Sequence, residues 1–168
     1  MSSREELGNA LLGCLQDVAS LLEHAHTVAI EEQEALIAND AEAIAACCTS
    51  QDEVLRRIME ADQRAAAVAE QLADAAGLDT ESGDSLGVAA ATGLECADSI
   101  AMELARISDA AQRVQDTSKA NAALLENGLD VVTSCLRAVA CDTEPITYSK
   151  DASHSTVVGS VLTLDSKV

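Results

Sequence analysis

The sequence predicts an all-α protein: an antiparallel hairpin of two long helices, a longer third helix completing a three-helix bundle or coiled coil, and an irregular C-terminal tail. Three observations lead there. Alanine supplies 32 of the 168 residues, while Phe and Trp are absent and Tyr148 is the only aromatic. Alanine is the best helix former, whereas strands favour β-branched and aromatic residues. Apolar residues also recur every three or four positions through most of the chain. The single proline, Pro145, lies beyond the last periodic segment, so nothing interrupts the helices from within.

The first helix is expected over residues 3–38. Leu7, Leu11, Cys14, Val18, Leu21, Ala25, Val28 and Ala35 form an apolar stripe, widened by Leu15, Leu22 and Leu36, with Glu31, Glu32 and Glu34 assigned to the wet side. Asn39-Asp40 breaks the pattern, and Asp40 is a suitable N-cap for a second helix over 41–76. Its stripe reads Ile44, Cys47, Val54, Leu55, Ile58, Ala65, Val68 and Leu72, and Gly77 supplies the stop. So short a link makes the pair an antiparallel hairpin.

Residues 77–85, GLDTESGDS, read as a loop. A third helix is expected over about 86–140, with a seam of Leu94, Ala97, Ile100, Leu104, Ile107, Ala111, Val114, Ser118, Asn121, Leu125, Val132, Cys135 and Val139. This divides the chain into a helical domain over 1–140 and a tail over 141–168. The tail is polar, with a β-leaning run at 156–164.

Lengths then point to a partner. At about 1.5 Å per residue the first two helices span roughly 54 Å, and the third roughly 80 Å. The third helix starts beside the end of the second and runs back along the hairpin, so it outruns its neighbours near residues 118–122. The remainder is still amphipathic, with Leu124, Leu125, Leu129, Val132, Leu136 and Val139. An apolar stripe that overhangs its own bundle must find a partner, fold back or dimerise. Ser118 and Asn121 mark the boundary, as a polar layer that sets register, as a local kink where the helix bends back, or as the edge of a binding half.

The formal net charge is −19, from 29 acidic and 10 basic residues. Phosphate backbones and anionic membrane surfaces repel such a chain, so neither nucleic acid nor direct membrane insertion is expected. The acidity serves solubility in general, or holds a partner-binding surface soluble until the partner arrives. Cysteines at 14, 47, 48, 96, 135 and 141 form no CxxC pair. With no expected signal peptide or membrane span, they read as reduced thiols in a cytoplasmic protein, Cys47 and Cys48 packing in the core.

No catalytic residues, metal site or cofactor are expected. A di-iron bundle needs two Glu-x-x-His pairs, and only Glu23 with His26 has that spacing. His24 and His26, two apart on a helix, do not face each other, and His154 lies in the tail. No nucleophile elbow, phosphate loop or dinucleotide fingerprint is present.

The run AIEEQEALIANDAEAI at 29–44, followed by Gln63-Arg64, resembles the FlgN-type flagellar export chaperones. So does SKANAALLENGL, which sets Ser118, Asn121, Leu124 and Leu125 on that family's Asn-x-x-Asn…Leu-Leu pattern. EPITYSKDASHS places Pro145 and Tyr148 on its Pro…Tyr ending. Two positions depart from the pattern: Ser118 stands for the first asparagine, and Ala152 for a common turn glycine.

The resemblance implies a chaperone, not an enzyme. Its clients would be the C-terminal helices of hook-associated subunits, at the hook–filament junction. It would keep them unassembled in the cytosol and deliver them to the export gate and ATPase complex of type III secretion. Client binding would then fall to Asn121, Leu124, Leu125, Leu129, Val132, Leu136 and Val139, and export-gate docking to Pro145 and Tyr148. Three alternatives stay open: a homodimer pairing its overhangs, an enzyme or metal carrier in the bundle, and a chaperone for a different flagellar subunit.

Overall fold

Three helices account for nearly all of the described residues, 3–78 and 93–142 (side chains as far as Ala140), in the computed structural model. They are α1, Ser3–Ala38; α2, Ala41–Ala76; and α3, Ala97–Asp142. The chain divides into two compact units, Met1–Glu126 and Asn127–Val168. Of the expected tail, 141–168, the residues beyond 142 lie outside the described residues.

Both ends of the hairpin follow from local chemistry. Asn39 takes φ +54°, its N–H donates to Leu36 O and the Asp40 N–H to Ala35 O. That Schellman arrangement ends α1. Asp40 is at once the last residue of that motif and the N-cap of α2, its Oδ1 accepting from the N–H groups of Glu42 and Ala43. Gly77, at φ +69°, closes α2 in the same way, with Gly77 N–H to Asp74 O and Leu78 N–H to Ala73 O. Both helices occupy the ranges the sequence pattern indicates.

The third helix does not. It begins at Ala97, not near residue 86, and residues 79–92 lie outside the described residues. Gly93 sits at φ +62°, in the left-handed region, which prevents a helix from running through it. Leu94 then turns into the core, and the Ile100 N–H to Cys96 O bond opens the helical ladder. Gly8 on α1 permits this turn. A β-carbon there would fall 2.7 Å from Leu94 Cδ1 and 3.0 Å from Cys96 Sγ.

The core is built mainly from aliphatic and small side chains. Leu11, Leu15, Ala65, Leu72, Leu94 and Ile100 form one buried cluster. Val18, Leu21 and Ala61 form a second, with Ile107 of α3 packed against both. α1 and α2 approach closely along their length, which alanine and cysteine on the facing sides permit. α3 is held through longer side chains. Arg106 makes a bidentate pair with Glu23 of α1, at 2.9 and 2.8 Å. Arg4 Nε donates to Ala75 O, tying the start of α1 to the end of α2.

Two seam assignments need correction. On α3 the inward positions are Ala110 and Thr117, one residue before the expected Ala111 and Ser118, which are exposed. On α2, Leu55 is exposed while Ala61 is buried. Cys48 also faces solvent; only Cys47 of the adjacent pair is in the core.

Candidate binding face

The geometry of the site starts from a polar layer. On α1 the inward positions run Val28, Glu32, Ala35; on α2 they run Cys47, Gln51, Val54; on α3 they run Val114, Thr117, Asn121. A polar residue therefore occupies an inward slot on each helix at one level. Asn121 is only 2% exposed. Its Nδ2 donates to Ala29 O and to Glu32 Oε2, each at 2.8 Å, and Gln51 Nε2 donates to the same Glu32 oxygen at 2.7 Å. Two acceptors facing the amide dictate that nitrogen, not oxygen, points at them. Asn121 Oδ1 is left buried without a hydrogen-bond partner.

This revises three expectations. Glu32 is not a wet-side residue but the acceptor joining all three helices. Asn121, expected among the client-facing residues, turns its side chain inward and offers none of its amide to an incoming partner. Ser118, expected in the same layer, is exposed. The sequence signal for Glu32 and Gln51 was a polar residue in an otherwise apolar three-four spacing.

Past Asn121 the burial pattern changes at once. Every residue from Ala122 to Ala140 is exposed. Leu129 is 67% exposed, and Leu136 and Val139 are 65%. Leu124, Leu125 and Val132 join them, as does Val131, which the seam reading omitted. The face is aliphatic, on a helix that remains regular to Asp142. Such a surface carries no acid, base or nucleophile aimed at a common point, so what it does chemically is exclude water against another apolar surface. Pro145 and Tyr148 lie outside the described residues.

Glu23, the one Glu-x-x-His carboxylate, is held by Arg106, and that hydrogen bond draws its carboxyl below the usual range. Among the described residues no group of three His, Cys, Asp or Glu can hold a metal ion. Cys14, Cys47, Cys48, Cys96 and Cys135 are free thiols. Burial, with Glu31 and Glu32 nearby, pushes the Cys47 thiol up and away from reactivity. No helix among the described residues is long and apolar enough to cross a membrane.

A family model described as FlgN protein matches residues 1–156. The chain belongs to the FlgN family. It is therefore, in general terms, a flagellar export chaperone, of a family whose members bind flagellar subunits. Comparison with curated proteins and with solved structures gave no match. In this FlgN chain the SKANAALLENGL run spans the change from buried to exposed. Asn121 closes the bundle, and Leu124 and Leu125 begin the exposed face.

Proposed function

We propose that this FlgN-family chaperone binds the C-terminal helices of hook-associated subunits in the cytoplasm, on the face of α3 formed by Leu124, Leu125, Leu129, Val132, Leu136 and Val139. Binding there keeps the client's amphipathic helices from assembling prematurely. The complex then travels to the type III export gate and its ATPase complex, where Pro145 and Tyr148 dock. The observation that carries the reading is the exposed aliphatic run beyond Asn121, in a chain of this family whose other helices bury their apolar stripes. Helix-on-helix recognition suits such a run, because the apolar face of a client helix supplies what the bundle does not. The excess of acid elsewhere keeps a chain bearing that face in solution.

The test is a pull-down of the tagged chain from flagellated cells, beside the double variant Leu125→Asp, Val132→Asp. Recovery of a hook-associated subunit by the native chain alone supports both client and face. Recovery by both baits keeps the client and moves the face. Recovery of a different flagellar subunit, or of none, overturns the client assignment.

A further inference from the structure

From Leu124 to Leu136 the apolar residues of α3, with Gly128, come in adjacent pairs: Leu124 with Leu125, Gly128 with Leu129, Val131 with Val132, Cys135 with Leu136. At about 100° per residue the first members line one seam and the second members another, with centres about 100° apart. Together they make an apolar arc of about 160°. Glu126, Asp130, Thr133 and Arg137 occupy the opposite side. All of these residues are exposed.

The width of the arc says how many helices it takes to cover it. A single helix paired as in a coiled coil needs only a narrow seam. The inner part of α3 is covered by two helices: Ile107 packs with clusters from α1 and α2, and Asn121 bonds α1 directly and meets Gln51 of α2 through Glu32. The outer arc is of comparable width. Its two seams also differ in grain. Gly128 and Cys135 leave one seam low, which suits a helix whose backbone comes close. Leu125, Leu129, Val132 and Leu136 hold a neighbour farther off. Charge selects the kind of partner: another copy of this chain would bring a second excess of 29 acidic over 10 basic residues, whereas neutral or basic helices meet no such repulsion.

We propose that this face takes two side-by-side amphipathic helices of one flagellar subunit, one on the Leu124–Gly128–Val131–Cys135 seam and one on the Leu125–Leu129–Val132–Leu136 seam. The inference rests on the client reading above and adds Gly128, Val131 and Cys135 to it.

The experiment measures binding by the native chain, Val131→Asp and Leu129→Asp, one change per seam. The probes are a purified hook-associated subunit and a synthetic peptide of its C-terminal helix. Far-UV circular dichroism verifies that both variants stay helical, and light scattering gives the mass of each free chain. Each variant is expected to weaken the whole subunit by about tenfold or more, while the peptide loses about tenfold to one variant and under about twofold to the other. Native affinity of Val131→Asp for the whole subunit overturns the two-seam proposal, and so does equal sensitivity of the peptide to both variants. If neither variant weakens a subunit that the native chain binds, the face is misplaced and the client reading survives. Failure of the native chain to bind any hook-associated subunit removes the client reading and this inference together. A free dimer that Val131→Asp breaks shows the first seam to be a self-interface, and also overturns the proposal.

Discussion

Along α3 two stretches of one continuous helix solve the same problem in opposite ways. From Ile100 to Asn121, Ile100, Ala110 and Asn121 are buried, and Leu104, Ile107 and Val114 between them are half-covered. From Ala122 to Ala140 the apolar content is no lower, yet every residue is exposed. Composition alone therefore does not separate scaffold from binding surface. What separates them is whether α1 and α2 present partners to α3, as Ala29, Glu32 and, through Glu32, Gln51 do at Asn121. An apolar face exposed among the described residues is open to a partner, and one that the bundle covers stabilises the fold.

The largest test of that contrast is truncation on each side of it. Leu72→Ala, which empties a fully buried position, should cost about 2–5 kcal/mol in urea unfolding. Leu136→Ala, on the exposed stretch, should change stability by less than about 0.5 kcal/mol. A comparable loss from both would mean that the outer face is already covered in the free chain.

The boundary itself is sharpened by Asn121→Ala. It removes a buried amide that serves two acceptors, at an expected cost of about 1–3 kcal/mol. Client affinity should fall far less than with Leu129→Asp. If stability holds and client binding is lost, Asn121 belongs to the binding half after all.

The smallest effect concerns the ion pair between α1 and α3. The Arg106 hydrogen bond holds the Glu23 carboxyl below the ordinary carboxylate range. Its contribution is thus present above that range and is lost as pH falls through the depressed value. Glu23→Gln should be slightly less stable than the native chain at neutral pH, and the two should converge in acid. A difference that grows on acidification would contradict the pairing. Both groups lie at the surface, so the effect is small.

Much of the architecture was legible because its signals are local. Asn39, Asp40 and Gly77 set helix ends through their own backbone preferences and side-chain oxygens, which no distant residue needs to confirm. The start of α3 was misread for the opposite reason. The apolar pattern continues back through Leu94, and only the left-handed turn at Gly93 shows that Leu94 packs from outside the helix. The register of α3 was ambiguous where Ala110-Ala111 and Thr117-Ser118 offer near-identical neighbours, and packing alone chooses between them. The candidate face was legible as an overhang, but as one seam. Val131 and Gly128 fall outside a simple three-four count that already has Val132 and Leu129.

The sequence by itself determined the helical class, the hairpin and its caps, the family, and the run of apolar residues beyond the bundle. Each of these follows from periodicity, capping or motif, all of them readable within a few turns of chain. Only the tertiary structure decided that Asn121 turns inward, that Glu32 accepts from both α2 and α3, and that burial stops at Asn121. Those outcomes depend on residues 19 to 92 positions apart meeting at one level of the bundle. Whether an amide or a carboxylate there is a surface group or a bolt is set by which acceptor or donor the neighbouring helix presents.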